Sequence, residues 1–157
     1  MKIEFWSLGK PHDNYVQNGI GEFTKRIQNY FSVEWMILKP VKQSTALSAA
    51  NLKKMEAEQI LHQLQQDNYL ILLDERGKQL TSVELADFIQ QRANAGLKKI
   101  IFLIGGAFGV DDVILKRANF VWSLSKLVFP HMLVRLILAE QVYRACTILK
   151  NEKYHHL

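Results

Sequence analysis

Cysteine is almost absent from this chain. Its one example, Cys146, can form neither an internal disulfide nor a cysteine metal cluster. No apolar run approaches the roughly 18 residues of a membrane span, so no membrane helix is expected. Only three prolines and eight glycines occur in 157 residues, and no low-complexity stretch, internal repeat or linker divides them. Met1-Lys2-Ile3-Glu4-Phe5-Trp6 carries an early acid and no apolar core, so no secretory signal is expected. No His, Cys, Asp or Glu group has metal-ligand spacing, so no metal is expected. What remains is one cytoplasmic globular domain over residues 1–157, long enough to bury a sizeable core.

Acid is also in deficit. Lys and Arg outnumber Asp and Glu by 20 to 15, giving a net charge of +5. That balance favours a polyanionic partner, although many basic proteins of this size bind no nucleic acid. The surplus gathers at the end of the chain, where Arg135, Arg144, Lys150 and Lys153 face only Glu140 and Glu152. Three of the five histidines lie there too and gain charge below neutral pH. A solvated helix end whose cations complement its dipole would look the same.

The apolar pattern alternates between two periods. Lys2–Leu8 reads as a strand closed by Gly9-Lys10-Pro11. Val16, Ile20, Phe23 and Ile27 then mark one face of a helix. A second strand, 33–38, stops before Pro40 and precedes a long helix over 45–66, with Leu52, Met55, Ile60, Leu61 and Leu64 near one side. Residues 69–74 and 99–104 are continuous apolar runs, as in strands covered on both faces. Thr81 or Ser82 caps the helix between them. A short helix over 111–118, a strand at 120–124 and an apolar helix from about Leu133 to Leu149 complete the chain. Alternating strands and helices imply an α/β fold with a mostly parallel sheet and helices on both faces.

Several clusters carry candidate chemistry. Gly105-Gly106-Ala107-Phe108-Gly109 follows a buried strand, where open α/β sheets bind ligands. It is neither G-x-G-x-x-G nor a phosphate P-loop, and a tight turn explains it equally well. Asp74-Glu75-Arg76-Gly77-Lys78 reads first as a solvated turn, although at the same sheet edge. Trp122 to His131 leaves a strand without clear period and enters a helix at Pro130, as an adenine-wrapping loop or a buried connection. His131 suits capping as well as catalysis. Glu140 and Arg144, four apart in an apolar helix, face a ligand or pair with each other. Tyr154-His155-His156 suits base stacking or plain fraying.

Together these segments resemble the RlmH family, ribosomal RNA large-subunit methyltransferases of the SPOUT, or α/β-knot, class. Leu72-Leu73-Asp74, Ile104-Gly105-Gly106-Ala107-Phe108-Gly109 and Leu124 to His131 occur in the order and spacing of that family. Arg135, Glu140-Gln141-Val142-Tyr143-Arg144-Ala145 and Tyr154-His155 follow. The likeness spans the whole chain, and its carboxyl-terminal third is the specific part.

The resemblance implies S-adenosylmethionine as cofactor and N3 of a pseudouridine in 23S rRNA, within the ribosome, as methyl acceptor. It implies a carboxyl-terminal deep trefoil knot, against the general rule that chains avoid knots. It also implies a homodimer in which one subunit's cofactor loops face the other's carboxyl-terminal region. Carried over by position, the cofactor contacts are Leu73, Gly105, Leu124, Ser125, Lys126, Leu127, Val128 and Phe129. His131, Arg144, Tyr154 and His155 fall where substrate is handled. One departure is His156, where relatives often carry arginine. The competing expectations are a non-catalytic RNA- or ribosome-binding α/β protein and a flavodoxin-like nucleotide-binding enzyme.

Overall fold

A computed structural model describes residues 1–41 and 48–156. Among the described residues ten elements follow one another: β1 (Lys2–Leu8), α1 (Asn14–Ile27), β2 (Ser32–Leu38), α2 (Ala49–Gln63), β3 (Tyr69–Gln79), α3 (Ser82–Asn94), β4 (Lys99–Ile104), α4 (Asp112–Arg117), β5 (Phe120–Ser123) and α5 (His131–Leu149). The strands form one five-stranded sheet in the order β2-β1-β4-β3-β5, parallel at every pairing.

Strand periodicity sorts the core into two layers. Ile3, Phe5, Ile71, Ile100, Phe102 and Ile104 point to one face and meet α1, α3 and α5 through Ile27, Leu85, Ile89, Leu138 and Val142. Trp6, Leu8, Leu70, Leu72, Ile101 and Leu103 point to the other, against Ala57 and Ile60 of α2 and Ile114 of α4. Helices therefore cover both faces, as the alternation implies. Thr81, not Ser82, caps α3 through a reciprocal capping box with Glu84.

Three expectations need correction. The first is helix α2, which ends at Gln63 because Leu64 is extended and Asn68 Oδ1 accepts from the Gln65 N–H at 3.2 Å. Its register buries Leu52, Ala57 and Ile60 and leaves Met55 40% exposed; the expected start at 45 lies outside the described residues. The second is the stretch Asp74–Lys78, which is no turn but the continuation of β3. Leu73 and Lys78 are both registered on Trp122, so the residues between them bulge out of the ladder. Gly77 permits this: a Cβ there would lie 2.6 Å from the Val121 carbonyl carbon and 2.7 Å from that of Trp122. The third is α5, which begins at His131 and has no exposed residue, because α1 and α3 lie along it. Leu138, Ala139, Val142, Ala145 and Cys146 are buried on it, while Leu133, Leu136, Ile137, Ile148 and Leu149 are only half-buried.

Candidate active site

The carboxyl ends of β3, β4 and β5 open into a cavity of about 590 Å³, within the usual range for a small-ligand site. Three stretches distant in sequence build its wall: the β3 bulge (Leu73, Asp74, Glu75, Arg76), the glycine loop after β4, and the loop joining β5 to α5. Leu73, Gly105, Leu124, Ser125, Leu127, Val128 and Phe129 all line it, with His131 at its edge. Lys126 does not; it is exposed.

The local chemistry explains how these loops hold their shape. Ser123 Oγ donates to the Ser125 carbonyl at 2.9 Å, and Ser125 Oγ accepts from the Leu127 N–H at 3.0 Å. The two hydroxyls brace a loop that has no ladder of its own. The glycine loop closes on itself through a Gly106–Gly109 bridge, and Gly109 takes a φ of 79°. A Cβ on Gly105 would lie 2.7 Å from Val110 Cγ1, so the chain there passes where a side chain would not fit. Asp74 clasps Arg76 bidentately at 2.8 and 2.9 Å. The guanidinium holds the Asp74 carboxyl below the usual carboxylate range. Trp122 Nε1 is a buried donor in the wall without a partner among the described residues.

His131 opens α5 beside the glycine loop. Burial pushes its pKa below the ordinary histidine value, the Gly106 carbonyl raises it again, and Arg135 adds to the depression. Arg135, one turn on, is 1% exposed. It donates to Ser7 Oγ (2.9 Å) and to the Lys10 and Leu8 carbonyls (2.9 and 3.3 Å), and its Nη1 lies 3.2 Å from His12 Nδ1. No carboxylate pairs with it among the described residues. It ties the last helix to the loop after the first strand.

The remaining candidates gather elsewhere. Glu140 accepts from Arg144 at 2.6 and 3.0 Å and from the Tyr154 hydroxyl at 3.1 Å. The Arg144 guanidinium stacks 4.7 Å from the Tyr154 ring, which packs on Tyr143 at the same centroid distance. The Arg144–Glu140 pairing left open by the sequence is formed, and the tail folds back rather than fraying. Burial, then the Glu140 hydrogen bond, raises the Tyr154 hydroxyl pKa. His155 Nδ1 is buried without a partner among the described residues. Arg144 stands thirteen residues along α5 from His131, roughly 20 Å at the helical rise. One chain does not bring the two groups together.

Residues 1–155 match the family model described as "Predicted SPOUT methyltransferase". The chain belongs to the SPOUT methyltransferase family. This SPOUT chain is 46% identical over 156 residues to a Cytophaga hutchinsonii protein named "Ribosomal RNA large subunit methyltransferase H", covering 99% of the chain and 100% of that protein. Proteins of the same name from Christiangramia forsetii and Bacillus pumilus are 42% and 41% identical, each aligned over 99% of both chains. A SPOUT methyltransferase needs a methyl donor, and the cavity suits a small one: walls that mix apolar and charged side chains, glycine backbone at close range and a buried indole N–H without a partner among the described residues. No helix among the described residues is long and apolar enough to cross a membrane, and no metal-binding group of three or more His, Cys, Asp or Glu occurs among them.

Sequence reasoning missed two parts of this site. Arg76 and Asp74 were visible as a charged cluster, but not as a wall of the cavity. Glu56 of α2, whose carboxylate lies where a Gly106 side chain would be, stands behind the cavity wall rather than in it and gave no signal, because nothing in a helical pattern marks which polar residue turns inward.

Proposed function

We propose that the chain is an S-adenosylmethionine-dependent methyltransferase acting on N3 of a pseudouridine in 23S rRNA, as a homodimer on the cytoplasmic ribosome. The observation that carries this is convergence. Seven of the eight residues that the family resemblance assigns to the cofactor come from three separate stretches and line one cavity. The knotted threading of the carboxyl-terminal segment belongs to the same proposal.

S-adenosylmethionine, when bound, supplies an electrophilic methyl group on a sulfonium. The chain holds and orients the reactants, which accounts for much of the rate of an in-line displacement. Leu73, Gly105 and the loop 124–129 grip the cofactor through backbone and apolar contacts. The pseudouridine N3 proton must leave, and His131, held neutral near pH 7 by burial, is one acceptor for it. His155 is the other. Arg144 stabilises negative charge on the flanking carbonyl oxygens.

The 20 Å separation along α5 is bridged when a second copy presents its Arg144–Tyr154–His155 end at the cavity mouth. Phe108, Leu127 and Val128, 59%, 70% and 82% exposed at that mouth, supply an apolar seat for it. Calorimetry with S-adenosylmethionine, followed by mass analysis of ribosomes lacking the modification, tests the reading. Gly105→Val, whose side chain would push into Val110 and the Gly109 backbone and reshape the glycine loop, should abolish cofactor binding, with circular dichroism to check that the sheet remains folded. Affinity for rRNA without cofactor binding in the wild type would favour a non-catalytic RNA-binding protein.

A further inference from the structure

Glu56 lies at the back of the glycine loop. A methyl group placed on the Gly106 Cα would fall 2.5 Å from Glu56 Oε2 and 2.8 Å from Oε1, so the carboxylate occupies the space that this glycine leaves. Lys53, one turn earlier on the same face of α2, lines the cavity itself. No hydrogen-bond donor or cation among the described residues reaches the Glu56 carboxylate, and burial alone raises its pKa. A half-buried carboxylate without a partner is a cost to the fold, which a cation nearby would offset. Gly106 and His131 both line the cavity and are hydrogen-bond neighbours, whereas Glu56 does not line it. His131 is a group assigned to the departing proton, so the reacting methyl and its sulfur belong next to this glycine.

We propose that Glu56 is a positioning and selectivity residue that favours the sulfonium donor over the uncharged thioether product, through its negative charge behind Gly106. The inference rests on S-adenosylmethionine being the cofactor. Its logic is electrostatic: donor and product differ by one positive charge at sulfur, so a fixed carboxylate nearby binds the first more tightly. Once the methyl has left, that attraction vanishes and the product is released more readily. Glu56 touches neither reactant; it acts across the glycine.

The test is calorimetry on the full-length protein with S-adenosylmethionine and with S-adenosylhomocysteine. Glu56→Gln should weaken donor binding by about tenfold and leave product binding within about twofold of wild type. Glu56→Asp, which keeps the charge, should retain most of the discrimination. A purely structural role would weaken both ligands in parallel, and that result, or an unchanged ratio in Glu56→Gln, would overturn the assignment. Wild-type protein that binds neither ligand would overturn the cofactor reading and this inference with it. Wild-type binding with a parallel loss would overturn only the role of Glu56.

Discussion

Arg135 makes the strongest demand of any single residue. Its guanidinium satisfies two backbone carbonyls, the Ser7 hydroxyl and His12 with no carboxylate in the set. Arg135→Met removes the buried cation but strands those acceptors, at a cost of about 2–4 kcal/mol in urea denaturation. Lysine should not rescue it, since a point charge cannot span the fork. His12 and His131 add a pH dependence. Burial and then Arg135 hold the His12 pKa below its ordinary value, and His131 is likewise depressed. The unfolded chain therefore takes up protons that the folded chain refuses. Stability should be full above pH 6.5 and decline as pH falls below it. His12→Asn, whose amide oxygen replaces Nδ1, should flatten that decline in thermal unfolding followed from pH 7.5 to 5.5. Arg144→Ala makes a third case. The half-buried pair with Glu140 contributes about 0.5–1 kcal/mol, so stability should drop little while methylation falls by about 100-fold or more. A large stability loss with proportionate activity would return Arg144 to the fold. From sequence, Arg135 showed as one cation among several and as part of the family pattern, but without its structural role, because a lone arginine in a helix does not declare which carbonyls it will meet.

The elements were legible where periodicity was strong. Strands β1 and β4 and helices α1 and α3 fall within a residue or two of the pattern, since burial on one or both faces dictates their spacing. The β3 bulge was not legible. Charged residues after an apolar run look like a solvated turn, and only the close approach to β5 shows that the strand continues. Glycines test this view. Gly77→Ala would drive a methyl into the Val121 and Trp122 backbone, which cannot yield. It should cost about 2 kcal/mol or more and weaken cofactor binding, because Asp74 and Arg76 move with the bulge. Gly21 stands in α1 with nothing within 4 Å of a Cβ, so Gly21→Ala should stabilise by about 0.5–1 kcal/mol. Chemical denaturation of both variants decides the contrast.

At the scale of the molecule, the family resemblance supplied what periodicity could not: which loops meet. The reason is physical. Convergence of stretches 73–76, 104–110 and 122–129 is set by strand order, and no local pattern in a sequence encodes strand order. If two copies share a site, protein carrying Gly105→Val and protein carrying Arg144→Ala, each inactive alone, should regain methylation when unfolded and refolded together. Continued inactivity of the mixture would mean that each chain works alone. Arg135 also has a temporal meaning. Its contact with Ser7 spans 128 residues, and β1 lies between β2 and the central strand β4. During synthesis at about 5–20 residues per second, the first strand leaves the exit tunnel long before its central neighbour exists. The polar groups after it wait longer still, for a helix that follows all five strands. Until α5 emerges, a nascent chain of this protein therefore keeps its future core open to water and to chaperones.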